Sequence, residues 1–100
     1  MAVNIGKYIA DLRTEKGMSQ RELAERSGLS NTEISRLESG KRLNPSPGTL
    51  KSISGALGVE YSELMRVAGY IEEVHEEDRF YELVFRNESG EIVDVIRISD

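Results

Sequence analysis

Apolar residues recur at intervals of three and four through residues 5–68, which is the spacing of helices with one buried face. Glycine-containing breaks divide this region into five segments. The residues predicted to face a common core are, in chain order, Ile5, Ile9, Leu12, Leu23, Ala24, Ile34, Leu37, Leu50, Ile53, Leu57, Tyr61, Leu64 and Ala68. The pattern therefore predicts a mainly α domain of five short helices.

Polar residues and glycines mark the ends of the second and third helices. Ser19 and Ser30 each stand three residues before a glutamate, which is the spacing of a capping box. Gly28 and Gly40 follow these two helices, where a residue in the left-handed region satisfies the last carbonyl groups. Two short helices joined by a tight glycine turn are typical of a helix-turn-helix.

The first and fourth helices have their own boundary signals. Asn4 is predicted to cap the first helix, and Ser46-Pro47 is predicted to begin the fourth. Gly55 lies inside the fourth helix, where glycine is unfavourable by about 1 kcal/mol relative to alanine. We interpret Gly55 as a point of close packing against another helix.

The last fifth of the chain is rich in β-branched and aromatic residues. These residues occupy 80–86 and 91–99, on either side of Glu88-Ser89-Gly90. The pattern predicts a β-hairpin with a three-residue loop and Gly90 in the left-handed position. Residues 70–78 are largely acidic and are predicted to form a solvated connector or a frayed helical extension.

This loop fixes the predicted register of the hairpin. Leu83 is expected near Val95, and Phe85 near Val93, so that both faces of the hairpin are largely apolar. A two-stranded hairpin with open edges is marginally stable in water, and the sequence offers no third strand. We favour a hairpin covered by a second copy of the chain, as a dimerisation element. The alternative is a hairpin that folds back on its own helical domain and enlarges the core.

The formal net charge of −5 is unevenly distributed. Residues 1–58 hold nine Lys or Arg against six acidic residues, a balance of +3, whereas residues 59–100 hold four against twelve, a balance of −8. Attraction to phosphate depends on the field at the docking surface, so the acidic total does not exclude a nucleic-acid partner. The predicted organisation is thus a helical domain over residues 1–69, an acidic linker over 70–78 and a hairpin over 79–100.

Other chemistry finds little support in the sequence. There is no cysteine, so disulfides and thiolate metal sites are not predicted. His75 is the only histidine, and we interpret its neighbours Glu73, Glu76 and Glu77 as part of the acidic linker rather than as metal ligands. No catalytic motif or phosphate-binding glycine loop is present, so we expect neither an enzyme nor a cofactor. No apolar run is long enough to span a membrane, and we expect a cytoplasmic protein.

Residues 4–69 resemble the Xre family of bacterial and phage regulators, which includes the lambdoid phage repressors and Cro proteins. The motifs that carry the resemblance are Leu12-Arg13, Ser19-Gln20, Leu23-Ala24, Gly28, Ser30, Ile34, Arg36-Leu37-Glu38 and Gly40. The resemblance implies a five-helix lambda-repressor-like DNA-binding domain, here followed by a C-terminal β-hairpin. It also implies that helix 3 enters the major groove while helix 2 straddles the DNA backbone.

The resemblance assigns roles to particular residues. The residues expected to face the bases are Ser30, Asn31, Thr32, Glu33, Ser35 and Arg36, whose polar groups suit the donor and acceptor pattern of the groove. The residues expected to contact the DNA backbone are Gln20, Ser39, Lys41 and Arg42. By the same resemblance, Arg13 and Glu38 occupy the positions of a structural ion pair that joins helix 1 to the end of helix 3. Two alternatives remain, namely that Glu33 serves only its capping box and that the polar face of helix 3 is an ordinary solvated surface.

The implied function is a dimeric transcriptional repressor that reads a pseudo-palindromic operator in double-stranded DNA. One alternative is the antitoxin of a toxin-antitoxin pair, which regulates its own operon and binds a toxin protein through its acidic C-terminal part. A second alternative is an interaction module whose helix-turn-helix no longer binds DNA.

Overall fold

The computed structural model describes residues 4–76 and 80–99. Helices come first: α1 (Ile5–Glu15), α2 (Gln20–Ser27), α3 (Asn31–Glu38), α4 (Pro47–Leu57) and α5 (Tyr61–Val67). Strands follow: β1 (Ile71–Glu76), β2 (Phe80–Arg86) and β3 (Ile92–Ser99). The predicted five-helix fold is confirmed in this part of the chain, and the C-terminal β element has one strand more than predicted.

Side-chain caps set the helix boundaries as the sequence predicts. Asn4 precedes α1, and its Oδ1 accepts a hydrogen bond from the N–H of Gly6 at 2.8 Å. Ser46 precedes α4, and its Oγ accepts a hydrogen bond from the N–H of Thr49 at 3.2 Å. Pro47 occupies the first turn of α4, where a missing N–H costs nothing.

The helices enclose a single cluster of apolar side chains. Every predicted core residue belongs to this cluster or packs against it. The cluster also includes Met18 from the turn before α2 and Tyr70 from the residue before β1, which the sequence analysis did not assign to the core. Tyr70 therefore joins the start of the sheet to the helical domain.

The close contact between helices lies at Gly6 rather than at Gly55. A Cβ atom on Gly6 would overlap the backbone carbonyl of Leu37, so the absence of a side chain allows α1 to approach the end of α3. Gly55 is exposed, and a Cβ atom there would have no neighbour within 4 Å. The interpretation of Gly55 as a packing contact is wrong, because its helix face points to solvent.

The C-terminal region is an antiparallel sheet in the order β1-β2-β3. β1 occupies residues 71–76, where the sequence predicts a connector; residues 77–79 lie outside the described residues. An acidic strand is acceptable here because β1 is an edge strand, where charged side chains are common. Glu72 of β1 also pairs with Arg86 of β2 at 3.3 Å. The predictions of a connector over residues 71–76 and of a hairpin without a third strand are therefore wrong.

The loop between β2 and β3 has the predicted form. The N–H of Asn87 donates to the carbonyl of Glu91 at 3.0 Å, which encloses residues 88–90 as a three-residue loop. Gly90 has a φ of 84°, in the left-handed region where a side chain would be strained. The loop alone would therefore produce the predicted register.

A β-bulge next to the loop changes that register. Arg86 pairs with Ile92, but Phe85 pairs with Asp94, so Val93 is an extra residue in β3. As a result, Phe85 does not pair with Val93 as predicted. Nothing in the residue types distinguishes a continuous ladder from one with an extra residue at this position.

The one-residue shift continues along β3 and changes which of its residues lie on each face of the sheet. Leu83 lies opposite Ile96 rather than Val95. The register places one mainly apolar set on the same face, namely Ile71, Tyr81, Leu83, Phe85, Ile96 and Ile98. The opposite face carries the ion pairs Arg86–Glu72 and Arg97–Glu82, and also the apolar Val74, Ile92 and Val95 around the buried Val84. The prediction that both faces are largely apolar is therefore wrong for this second face, where charged and apolar side chains are mixed.

β3 leaves much apolar surface exposed. The exposed fractions are 55% for Ile92, 61% for Val93, 46% for Val95 and 45% for Ile96. Among the residues whose burial is described, the core cluster contains none from β2 or β3. The alternative in which the hairpin enlarges the helical core is therefore wrong. In the described part of the chain, no helix has the length and apolar character needed to cross a membrane.

Candidate nucleic-acid interface

α2 and α3 are two eight-residue helices separated by a three-residue turn. α2 ends at Gly28, whose φ of 79° lies in the left-handed region. The N–H of Gly28 donates to the carbonyl of Ala24 at 3.0 Å, which closes the last turn. The glycine allows the chain to reverse within three residues and begin α3 at once.

Ser30 begins α3 with a complete capping box. The N–H of Glu33 donates to Ser30 Oγ at 3.1 Å, and the N–H of Ser30 donates to Glu33 Oε1 at 3.4 Å. Glu33 is exposed but its carboxylate is engaged in the cap. This geometry favours the capping role of Glu33 over a contact with a base.

α3 has a buried face and an exposed polar face. Ile34 and Leu37 are 0% and 2% exposed, and burial of such a side chain is worth about 1.5–3 kcal/mol. Rotation of α3 about its axis would expose both residues, so the orientation of the helix is fixed. The residues predicted to face bases lie away from this anchor: Ser30, Asn31, Thr32, Glu33 and Arg36 are exposed, and Ser35 is half-buried.

A hydrogen-bond network holds the end of α3 against α1 and α2. Arg13 donates from Nε to Glu38 Oε2 at 2.7 Å and from Nη2 to Glu38 Oε1 at 2.8 Å. Arg13 Nη1 donates to the carbonyl of Met18 at 2.7 Å. The Arg13 and Glu38 side chains are only 17% and 6% exposed. The hydrogen bond to Glu38 raises the pKa of Arg13 although burial acts in the opposite direction, so the guanidinium stays charged.

Gln20 belongs to the same network, which the sequence analysis missed. Its Nε2 donates to Glu38 Oε1 at 3.0 Å. From the sequence, Gln20 is expected only to contact the DNA backbone. Its contact with Glu38 gives no sequence signal, because the two residues lie 18 positions apart. One of the two N–H donors of its side-chain amide is therefore used inside the domain.

The segment after α3 folds around one carbonyl group. The carbonyl of Arg36 accepts hydrogen bonds from the N–H of Lys41 at 3.0 Å, the N–H of Arg42 at 3.1 Å and the hydroxyl of Ser39 at 3.2 Å. Gly40 has a φ of 82°, which permits this tight turn. Ser39 and Lys41 are exposed and Arg42 is half-buried. Three of the four residues predicted to contact the DNA backbone, Ser39, Lys41 and Arg42, therefore follow directly after α3, whereas Gln20 lies at the start of α2.

Three cations in this region have no acidic partner among the residues that the structure describes. Within residues 4–76 and 80–99, no carboxylate forms an ion pair with Arg36, Lys41 or Arg42. By contrast, Arg26 on α2 pairs with Glu22 at 2.7 Å. The local charge is therefore positive although the whole chain is acidic, which suits phosphate binding.

No metal-binding group of side chains occurs among the residues that the structure describes. The side chains of His75 and Glu76 and the whole of Glu77, which the sequence analysis interpreted as linker residues, lie outside that set. The chemistry of the described surface is therefore that of amides, hydroxyls and cations at the end of a helix pair.

The capped helix pair, the tight turn and the outward polar face of α3 define a helix-turn-helix domain. The sequence model of the helix-turn-helix family matches residues 9–64. The chain belongs to the Xre-type helix-turn-helix family of transcriptional regulators.

Relatives and solved structures agree with this class. The chain is 46% identical over 79 residues to the HTH-type transcriptional repressor RghR of Bacillus subtilis. The matched region covers 79% of this chain and 58% of RghR. The biofilm master regulator SinR in complex with DNA matches with a TM-score of 0.58 and 38% identity, over 61% of this chain and 97% of that structure. The restriction-modification controller protein C.AhdI of Aeromonas hydrophila also matches with a TM-score of 0.58 and 38% identity, over 63% and 94% of the two chains.

Proposed function

We propose that this chain is a sequence-specific DNA-binding transcriptional repressor that places α3 in the major groove of its operator. The observation that carries the proposal is the polar face of α3, held outward by the burial of Ile34 and Leu37. RghR, a repressor, supports the direction of regulation. The chain spans 58% of the length of RghR.

The exposed residues of α3 provide a set of base contacts. The Asn31 amide suits adenine N6 and N7, the Arg36 guanidinium suits guanine O6 and N7, and the Thr32 methyl group suits the thymine methyl. Ser30 and Ser35 bring hydroxyl groups that suit either partner in a base pair. Glu33 is the weakest member of the set because its carboxylate already serves the cap.

The backbone contacts come from both sides of α3. Lys41 and Arg42 supply charge to phosphates, and the Ser39 hydroxyl adds a polar contact. Gln20 contributes through the N-terminal turn of α2, whose N–H groups suit a phosphate oxygen. The Gln20 side-chain amide must share this role with its hydrogen bond to Glu38.

We further propose that two copies bind together through the sheet. A two-fold dimer reads half-sites about one helical turn, roughly 34 Å, apart. The exposed apolar residues of β3 and its open edge support this assignment. Selection of bound sequences from a random duplex library tests the function directly. Symmetric half-sites are expected, and failure to enrich any sequence at low salt would contradict the proposal.

A pair of α3-region variants separates base contacts from phosphate contacts. Arg36→Ala is expected to cost about 1–3 kcal/mol on the selected operator and to relax preference at one base position. Lys41→Ala is expected to weaken operator and random DNA by the same factor, since phosphates carry no sequence information. Binding isotherms on both duplexes measure the two effects. Equal losses on both duplexes for Arg36→Ala would show that Arg36 does not contact a base.

The dimer contact is tested on β3 in the full chain. Val93→Lys and Ile96→Lys introduce charge at positions that are exposed in the single chain, so its fold is expected to survive. Sedimentation equilibrium is expected to show a dimer for the original chain and dissociation for the variants. Lys51→Ala, on an exposed position of α4, is the matched surface control. A dimer unaffected by both β3 variants would place the contact elsewhere.

The proposal gives the chain a binding function and no enzymatic one, with no cofactor, and a cytoplasmic location alongside its DNA. The relatives named above are transcriptional regulators, which favours this function over the antitoxin alternative.

A further inference from the structure

Tyr70 connects the helical domain to the sheet through its backbone. It follows Gly69, whose φ of 90° ends the α5 region, and it directly precedes β1. Its N–H donates to the carbonyl of Met65 at 2.9 Å, and its carbonyl accepts a hydrogen bond from the N–H of Arg86 at 2.7 Å. The residue is therefore fixed to both α5 and β2.

The side chain of Tyr70 extends the connection to the segment that follows α3. Tyr70 is 5% exposed, and its hydroxyl donates to the carbonyl of Pro45 at 2.7 Å. Pro45 is itself fully buried and stands one residue before the Ser46 cap of α4. This buried hydrogen bond therefore joins the sheet to residues 39–46, which include the proposed phosphate contacts.

Little else holds the middle of that segment. Its first part is fixed where Lys41 and Arg42 donate to the carbonyl of Arg36. Leu43 is 70% exposed and Asn44 is also exposed, so neither packs the segment against the core. Pro45, which is fully buried and accepts the Tyr70 hydrogen bond, is consequently the fixed point between the exposed residues and α4.

The surroundings of the phenol agree with this position. Burial is the main reason that the pKa of Tyr70 is raised, with a smaller contribution from Glu88. The charge of Arg42 acts in the opposite direction and lowers the pKa of Tyr70.

We propose that Tyr70 is a positioning residue for DNA binding, whose hydroxyl fixes the segment carrying Lys41 and Arg42 from the side of the sheet. This inference rests on the proposed function, because it concerns contacts with DNA phosphates. Loss of the hydroxyl removes the restraint at the far end of the segment and leaves Lys41 and Arg42 held by their hydrogen bonds to the Arg36 carbonyl, so their geometry is less firmly fixed while the base-contacting face of α3 is unchanged.

The test compares two tyrosine-to-phenylalanine variants of the full chain. Tyr70→Phe keeps the buried ring and removes the hydrogen bond to Pro45. Tyr8→Phe is the matched control, because burial and a hydrogen bond to Glu63 raise the pKa of Tyr8, and the contact lies between α1 and α5. Binding to the selected operator is measured over a range of salt concentrations, with thermal unfolding of each variant.

Tyr70→Phe is expected to lower operator affinity about tenfold, the equivalent of one hydrogen bond. The slope of log affinity against log salt is expected to be less steep by about 1–2, because one or two phosphate contacts weaken. The effect is expected to shrink in the Lys41→Ala background, since the two changes share a target. Amide exchange of Lys41 and Arg42 is expected to accelerate in Tyr70→Phe and not in Tyr8→Phe.

Two results would overturn the inference in distinguishable ways. Equal salt slopes and unchanged exchange of Lys41 and Arg42 in Tyr70→Phe would show that Tyr70 contributes only to stability, while the proposed function stands. Absence of binding to any duplex by the original chain would instead overturn the proposed function, and the positioning role with it.

Discussion

Replacement of Arg13 by methionine tests whether the network at the end of α3 stabilises the domain. The change removes three hydrogen bonds, two to Glu38 and one to the carbonyl of Met18. It leaves the Glu38 carboxylate, which is 6% exposed, with the Gln20 amide as its remaining side-chain hydrogen-bond donor among the described residues. A buried charge that loses its partner costs about 3–5 kcal/mol.

The expected loss is large relative to the stability of a chain of this size. Proteins typically have a free energy of unfolding of about 5–15 kcal/mol. In a small domain, a loss of about 1 kcal/mol of this free energy lowers the thermal midpoint by about 4–8 °C. Arg13→Met is therefore expected to lower the midpoint by at least about 12 °C. Urea unfolding followed by circular dichroism gives the free energy, provided that the slope of the transition is unchanged.

An ion pair on α1, the helix that carries Arg13, supplies the control. Lys7 and Asp11 lie 3.4 Å apart, but their side chains are 75% and 60% exposed. Lys7→Met is expected to cost less than about 1 kcal/mol, because solvent screens such a pair. Equal losses for Lys7→Met and Arg13→Met would refute the argument that burial distinguishes the two pairs. The double variant Arg13→Met with Glu38→Met is expected to be more stable than Arg13→Met alone, since no buried charge then remains unpaired.

Two further predictions follow from glycine packing and from tyrosine ionisation. Gly6→Ala is expected to destabilise the fold by about 1–3 kcal/mol through overlap with the Leu37 carbonyl, whereas Gly55→Ala is expected to stabilise it by about 0.5–1 kcal/mol. Thermal unfolding measures both, and a stabilised Gly6→Ala would contradict the packing argument. Burial raises the pKa of Tyr70, so the folded state favours the neutral phenol. The contribution of the neutral Tyr70 phenol to folding stability is fully present below the unfolded-state pKa of about 10. It is lost as the pH rises through the raised pKa of the folded state. Stability is therefore expected to fall above about pH 10, less steeply in Tyr70→Phe, and identical alkaline profiles would exclude Tyr70 as the cause.

The helical domain was predictable because its signals are local. Ser30 and Gly28 act on backbone groups within a few residues, so their spacing is sufficient to place the ends of α2 and α3. The 3.6-residue period likewise identified Ile34 and Leu37 as buried, which decides which side of α3 is exposed. The face of the candidate site therefore follows from sequence alone.

The sheet was harder to predict because its determinants are not local. The acidic residues of β1 are typical of a solvated connector, and only pairing with β2 and with Arg86 makes the segment a strand. The bulge at Val93 has no sequence signal, yet it changes which residues share a face. In strands a shift of one residue exchanges the faces, so a small error in register has a large effect.

The contacts that hold the site together were only partly visible. The Arg13–Glu38 pair came from the family resemblance, whereas Gln20 and Tyr70 join the site through contacts over 18 and 25 residues. A bulky aromatic directly after the helix-ending Gly69 was the available signal for Tyr70. The acidic residues that follow Tyr70 instead favour a linker, so the sequence predicts Tyr70 as part of that linker.

The position of Tyr70 gives the two halves of the chain different effects on DNA binding. Changes on the polar face of α3 are expected to alter which bases are preferred, because that face is oriented within the helical domain by Ile34, Leu37 and the Arg13–Glu38 hydrogen bonds. Changes in the sheet are expected to act at a distance from the bases, through the proposed dimer contact and through the Tyr70–Pro45 hydrogen bond to the segment proposed to contact phosphates. Variants of β3 are therefore expected to change operator affinity and salt dependence while base preference at each half-site stays the same.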